Sequence, residues 1–389
     1  MQLLSNVAAD RPKLFMGLAG LLSLVMILLV AVPSLAPGKV PFLQPLHIDT
    51  DPENMLAPGE PVRVFHNDMK KTFTLNDMIV VGVVDKTDEN GVFNPATLRN
   101  IYALTRAAEK IRWTDPETGQ TAGVLAVDLL APSTVDNIEQ AGLGAVRFEW
   151  LMSAPPKTPE AALAVAEKAA KLPFLNGTLV SEDRKAIALY IPITSKNISY
   201  KVARELEETI ASFGPTREEY HITGMPVAQD TFGVEMFKQM AVSAPMAMVL
   251  IFLLMWFFFR SVKFIISPMI VAMVSVIFTM GMLIGTGHTV HIMSSMIPVF
   301  IMPIAVLDAV HILSDFFDRY PLMKNRRKTL DHVMEELSRP MLFTSLTTTA
   351  GFASLAFTPI PPVQTFGIFI ALGVVVAYLF TITLVPAYI

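Results

Sequence analysis

"PIAVLDAVHILSDFFDRY" runs from Pro303 to Tyr320 and sets an aspartate and a histidine three residues apart inside an otherwise oily segment. Upstream, from Ile292 onward, only serines and prolines interrupt a run of Met, Ile, Val, Phe, Ala and Leu. Whether Asp308 is an inexpensive charge or a costly one depends on what surrounds this segment, water or hydrocarbon.

Composition favours hydrocarbon. The chain has 389 residues, of which 52% are hydrophobic and only 16% charged. Soluble domains carry about 25% charged residues, and the mean hydropathy here is +0.50. Apolar runs recur near 14–35, 241–259, 264–286, 292–314, 340–358 and 364–389. Each reaches the roughly 18 residues that a helix needs to cross about 30 Å of hydrocarbon, so six spans are expected. The first, from Leu14 to Val32, is longer than the roughly 7–15 residues of a signal-peptide core. Pro37 also follows a possible cut after "SLA" poorly, so this run reads as an uncleaved anchor. With no cysteine, structural disulfides and thiolate chemistry are excluded. The net charge of −4 is too mild to point to a nucleic-acid partner.

Basic residues orient the spans, because Lys and Arg concentrate in cytoplasmic loops. Arg11 and Lys13 precede the first run, and Arg260 and Lys263 lie between the second and third. Arg319, Lys324, Arg326, Arg327, Lys328 and Arg339 lie between the fourth and fifth. The intervening loops "GTGHTVH" and "TPIPPVQ" carry none. Every second loop is therefore basic. The expected organisation is a cytoplasmic N-terminus with the first span at 1–35, an extracytoplasmic (periplasmic) domain at 36–239, and a bundle of spans two to six at 240–389. The host would be a cell inner membrane. Within the bundle, 317–339 reads as a basic cytoplasmic connector, a short amphipathic helix whose charge also suits anionic lipid headgroups.

The outer segment alternates strand-like and helix-like pieces. "NDMIVVGVVD" (76–85), "AGVLAVDLL" (122–130), "RKAIALYIPI" (184–193) and "EYHITGMP" (219–226) read as strands. Helical spacing marks 94–111, with Asn94 as cap and Pro95 in the first turn, and marks 158–172 and 199–214 as well. A Pro-rich linker occupies 153–158, and "QDTFGVEMFKQM" (229–240) leads as helix directly into the second span. This alternation predicts an α+β domain of βαβ units, in a ferredoxin-like arrangement.

Asp308 is the only acidic residue well inside an expected span. A charged Asp at a helix centre costs roughly 2.5–3.5 kcal/mol on insertion scales. A carboxyl shielded from water can bind and release a proton near neutral pH. His311 lies one helical turn on, and imidazole titrates in the same range. The plainer reading is an Asp–His pair that only ties helices together. Ser314 and Asp315 continue that face, and Asp315 and Asp318 belong to the cytoplasmic interface. In "LFTSLTTTAGFASL" (342–355), Thr344, Thr348 and Gly351 form one stripe, with Ser345 and Thr349 beside it; such hydroxyls can pass a proton or bond across helices. Gly281 and Gly285 permit close helix approach, and Pro298 and Pro303 can kink the fourth span. His288 and His291, in the loop between spans three and four, read as surface histidines, since a metal would need a third ligand. No H-E-x-x-H, Walker A or G-x-S-x-G motif is present. An intramembrane aspartyl protease would require a second buried carboxyl. The chain therefore reads as a non-enzyme.

Taken together, the chain resembles one half of a transporter of the RND (resistance–nodulation–division) superfamily, closest to the MMPL-type exporters. The resemblance covers essentially the whole chain: one span, a large outer domain, then five clustered spans. Asp308 to His311 with "ILSDFFDRY" is similar to the fourth-span signature. "RPMLFTSLTTTAGFASLAF" (339–357) is similar to the fifth span, and "FGIFIALGVVVAYLFTITLVPAYI" (366–389) to the sixth. The resemblance implies efflux of a hydrophobic or amphipathic, lipid-like substrate by proton antiport, with no cofactor beyond the proton gradient. Asp308 would carry the proton, assisted by His311, Thr348 and Thr344. Implied partners are a second RND half or further copies in a dimer or trimer, together with periplasmic accessory proteins. Two departures stand out. Relatives place two adjacent polar residues before the His, where this chain has Leu307 then Asp308. Relatives also repeat the unit to reach twelve spans, so a truncated half or a half-size protein that dimerises is expected. The alternative function is a membrane protein that senses a sterol-like lipid or assists assembly without transport.

Overall fold

A computed structural model describes residues 2–36, 45–49, 51–114, 119–140, 142 and 144–389; Pro37, invoked above, lies outside them. The chain divides into two compact units. One comprises Met1–Val64 with Gly233–Ile389, and the other Phe65–Phe232.

The helical unit opens with α1 (Gln2–Asp10) and α2 (Pro12–Leu35). Pro12 suits the first turn of α2, where the missing N–H has no intrahelical partner to lose. A 3-10 turn follows at Pro52–Met55, then α3 (Pro61–Thr72), which runs on into the second unit.

In the second unit, β1 (Asp77–Val84) is the central strand. Its alternate residues Ile79, Val81 and Val83 are fully buried, the period-2 pattern of a sheet with one face on a core. The helix α4 (Pro95–Ala108) starts as the sequence predicts: the Asn94 side chain accepts from the Thr97 N–H at 2.9 Å, with Pro95 in the first turn. Two small antiparallel hairpins follow, β2 (Arg112–Thr114) with β3 (Thr121–Gly123), and β4 (Asp136–Gln140) with β5 (Val146–Trp150). The strand expected at 122–130 is mostly not one. A 3-10 turn at Ala126–Asp128 interrupts it, leaving isolated bridges from Val124 to Ile193 and from Leu130 to Tyr190. The β4–β5 hairpin was not foreseen, because its polar residues show no apolar run.

Next come α5 (Pro159–Ala170), β6 (Ala186–Ile193), α6 (Ser199–Ser212) and β7 (Glu219–Thr223). Both β6 and β7 pair antiparallel with β1, giving the order β6-β1-β7. The two flanking strands are therefore parallel to each other and joined through α6, a βαβ unit split by β1. Leu98, Ile101 and Leu104 of α4, Val165 and Ala166 of α5, and Val202 and Leu206 of α6 share one core with the sheet.

From Met225 the chain is helical almost throughout: α7 (Met225–Phe259), α8 (Val262–Gly285), the short α9 (Ile292–Ser295), α10 (Ile297–Met323), α11 (Arg326–Ala353) and α12 (Pro361–Tyr388). Among the described residues five stretches are long and apolar enough to cross a membrane: α2, α7, α8, α9 with α10, and α12. The expected count of six is not met on that measure. The fifth apolar run, 340–358, is not a separate helix. Its first part is the second half of α11, fused to the charged first half, and a 3-10 turn at Ser354–Phe357 ends it. The basic connector is likewise not one short helix. Lys324, at φ 49, ends α10, and Asn325 caps α11 by accepting from the Lys328 N–H at 3.1 Å.

Within this unit α12 is buried over most of its length, whereas α2 and α7 are largely exposed along their apolar stretches. Gly373 explains how α12 fits between α8 and α10. A Cβ there would stand 2.3 Å from Ile301 Cδ1 and 2.8 Å from Thr279 Oγ1. Gly281 does the same for α2 on α8, since its Cβ would lie 2.7 Å from Met26 Cβ. Small residues let helix backbones approach where no hydrophobic force favours one apolar contact over another.

Candidate functional site

Asp308 sits on α10 between buried Ala305, Ala309 and Ile312, and is itself only 7% exposed. Its Oδ2 accepts a hydrogen bond of 3.1 Å from Ser345 Oγ on α11. From α12, Tyr378 is close enough for its hydroxyl to interact electrostatically with the carboxylate. Tyr378 is buried, and its hydroxyl donates to the Ser338 carbonyl of α11 at 3.4 Å. The carboxyl therefore lies where α10, α11 and α12 meet.

Placement of the other expected residues follows from helical geometry. His311, one turn from Asp308, is exposed on α10. Among the described residues no hydrogen bond or ion pair joins it to Asp308. Thr344 and Thr348 occupy a different stripe of α11 from Ser345. Thr344 Oγ1 donates to the Pro340 carbonyl at 3.0 Å and Thr348 Oγ1 to the Thr344 carbonyl at 2.8 Å, both within α11. The stripe turned inward is the one offset by a single residue, with Ser338, Ser345 and the buried hydroxyl of Thr349. The sequence reading named Ser345 only as a neighbour and missed Tyr378. A buried Tyr on the sixth apolar run was the available signal, since a buried phenol seeks a polar partner.

The arrangement can hold a proton in either of two hydrogen-bonding states. An ionised Asp308 only accepts, whereas a protonated one also donates. The hydroxyl of Ser345 can answer both ways. Loading a proton removes a net charge and permits the Ser345 bond to reverse direction, all at a junction of three helices.

The MMPL family matches residues 115–389, a stretch that includes Asp308, Ser345 and Tyr378. The chain belongs to the MMPL family. No curated protein matches it. Family membership, with the long apolar helices, makes this a membrane protein and supports a transporter or lipid-related role.

Two further polar groupings lie at the ends of the MMPL helices. Near Met323, Arg319 bonds to Asp315 at 2.7 Å and also to Glu336 of α11, with His332 3.4 Å from Glu336. Asp315 is thus an ion-pair partner, and Asp318 is exposed. At the opposite end of α10, residues 47–49 lie along the loop before α9. Ile48 bridges Val290, and the Val290 N–H donates to the His47 carbonyl at 2.9 Å. Against expectation His291 is not a surface residue. Its side chain is 14% exposed, with Nδ1 3.4 Å from Asp49 Oδ2. Burial pushes this imidazole below its ordinary range; Asp49 opposes the shift, and His47 and His288 add to it. Among the described residues no group of His, Asp and Glu is placed to hold a metal ion.

Proposed function

We propose that this MMPL protein is one half of a proton-driven exporter of a hydrophobic or amphipathic, lipid-like substrate, with Asp308 as the group that takes up and releases the proton. The observation that carries the reading is the burial of Asp308 at the junction of α10, α11 and α12, held by Ser345. A charge at such a depth costs roughly 2.5–3.5 kcal/mol. One interhelical hydrogen bond returns only about 0.6–2 kcal/mol. A carboxyl kept there at a net cost is expected to serve a purpose other than packing. Proton binding would switch the polarity of the Asp308–Ser345 bond and bias the packing of α11 and α12 against α10, which would be coupled to substrate movement in the outer domain.

In this reading Ser345 replaces Thr344 and Thr348 as the partner of Asp308, and His311 lies beside the proton path. The apolar half of α11 completes six spans, with the N-terminus and the basic loops on the cytoplasmic side of an inner membrane. The outer unit is extracytoplasmic, and its split βαβ sheet follows the ferredoxin-like plan. A second RND half or further copies of the chain, with periplasmic accessory proteins, would complete the transporter.

The test is Asp308→Asn in the full-length protein, reconstituted in vesicles under an imposed pH gradient. Substrate flux should fall to the level seen without a gradient while the protein folds normally. Undiminished gradient-dependent flux would reject the proposal.

A further inference from the structure

At the end of α10 away from Arg319, the stretch between α2 and α3 is tied down at both ends and in the middle. Near α2, the Leu46 N–H donates to Ser34 Oγ at 3.0 Å. In the middle, Val290 of the loop before α9 is gripped from both sides. Its N–H donates to the His47 carbonyl at 2.9 Å, and its carbonyl accepts from the Asp49 N–H at 3.2 Å. Towards α3, Asp49 Oδ2 accepts from Asn54 Nδ2 at 2.6 Å, and Asn54 Oδ1 accepts from Arg63 at 2.6 Å. Arg63, in the first turn of α3, also donates to the Leu56 carbonyl at 2.7 Å. The turn at Pro52–Met55 lies against α12. Residues 45–49 and 51–56 thus form a strap between α2 and α3, fastened to the bundle at Val290.

What the strap is fastened to is apolar, and what holds it is polar. Val290 is 2% exposed and belongs to a cluster with Leu283, Ile284, Ile297 and Phe369. Ile48 bridges Val290, yet the strap's own Leu46, Ile48 and Leu56 are all exposed. The strap therefore gains little from apolar burial. Segments held mainly by a few hydrogen bonds open locally well before a core does.

The fastening point is also a cluster of ionisable groups. His291 Nδ1 stands 3.4 Å from Asp49 Oδ2, and its Nε2 is 3.1 Å from Thr289 Oγ1. His47 from the strap and His288 from the same loop act on it electrostatically. From α12, Phe369 meets the His288 ring edge-on with centres 4.9 Å apart, and His288 Nδ1 is 2.9 Å from Thr286 Oγ1. The other carboxylates of the strap are Asp51, which accepts from the Glu53 N–H at 3.0 Å, and Glu53 itself. Three imidazoles thus share Asp49, so proton uptake builds like charge at the fastening point. Burial already favours the neutral His291 ring, which makes the fastened strap the proton-poor state. We propose that this is a proton-released strap. With His291 neutral it stays fastened at Val290; when His291 takes up a proton, residues 47–49 detach and bare the apolar edge around Val290 and Phe369. The proposal concerns this end of the bundle alone, and it stands or falls apart from proton uptake at Asp308.

The experiment uses the full-length protein in nonionic detergent and needs no substrate. Because the chain has no cysteine, thiols can be placed singly. Val290→Cys reports strap opening by its rate of reaction with a polar maleimide. Val127→Cys, at a position 94% exposed, supplies the intrinsic rate at each pH. The ratio of the two rates should rise about tenfold between about pH 7.5 and 5.5, since one proton bound preferentially by the open state shifts opening by up to about tenfold per pH unit. His291→Gln should hold the ratio level, and His291→Arg, charged at every pH, should keep it high throughout. Ala272→Cys, buried in α8, should stay unreactive. A second measurement leaves Val290 intact: nitroxides on Ile48→Cys and Met296→Cys, both exposed positions, should move apart over the same pH range. A ratio independent of pH, or one whose rise survives His291→Gln, would overturn the proposal. An equal rise at Ala272→Cys would mean unfolding of the bundle and overturn it too. If Val290→Cys does not fold, an unchanged nitroxide distance decides against the strap.

Discussion

Ser345 Oγ on α11 donates to Asp308 Oδ2 on α10 across 3.1 Å, and both groups are buried. The pair links two elements 37 residues apart in sequence. It singles out one hydroxyl among the Thr/Ser-rich turns of α11.

Ser345→Ala should therefore weaken the α10–α11 contact by about 0.6–2 kcal/mol and reduce gradient-driven flux. Thr348→Ala, whose hydroxyl bonds within its own helix to the Thr344 carbonyl, should leave both nearly unchanged. Thermal unfolding and vesicle flux on the two variants would check this; equal losses would remove Ser345 from its special place.

Gly373→Val tests how α12 sits in the bundle. The new side chain meets Ile301 Cδ1 and Thr279 Oγ1 at distances no packed Cβ tolerates. A loss of about 1–3 kcal/mol is expected from overpacking, read as a lower unfolding temperature in detergent. Gly351→Ala, where an added Cβ meets no neighbouring element within 4 Å, serves as the control and should not destabilise the protein.

His291 predicts a pH dependence. Burial holds its folded pKa below the ordinary 6.5, with Asp49 opposing and His47 and His288 reinforcing. The unfolded chain then binds more protons between the two pKa values, so stability is lost as pH falls from about 6.5 through the folded value. Residues 47–49 should loosen from Val290 on acidification. Hydrogen exchange at the Val290 and Asp49 amides, corrected for intrinsic rates, should show protection falling below about pH 6.5. His291→Gln should flatten that change.

In the outer unit, Asn94→Ala removes the side chain that caps α4. Losing a cap costs about 0.5–2 kcal/mol. Denaturant unfolding of the full chain, followed by Trp113 fluorescence beside this core, would measure it, and Asn94→Asp should retain most of the stability.

Much of the architecture was legible in the residues because it rests on local patterns. Apolar runs of spanning length mark α2, α7, α8, α10 and α12. The Asn94-Pro95 start of α4 and the β-branched runs of β1 and β6 are equally local signals. By length and composition five stretches qualify among the described residues, because two patterns share one helix: the charged residues of 326–339 and the hydroxyls of 344–349 dilute the apolarity of α11. β2 and the β4–β5 hairpin were missed for a related reason, being short and without an apolar run.

The sequence by itself determined that Asp308 lies deep in an apolar helix, because period and composition are properties of the chain alone. It could not decide which hydroxyl reaches the carboxyl. Residues 344, 345 and 348 differ by about 100° per residue in direction, and only the packing of α11 against α10 selects Ser345 and turns Thr344 and Thr348 away. The same holds for Tyr378 and for His291 against Asp49. In each case the partners are distant along the chain, and helix rotation and register bring them together.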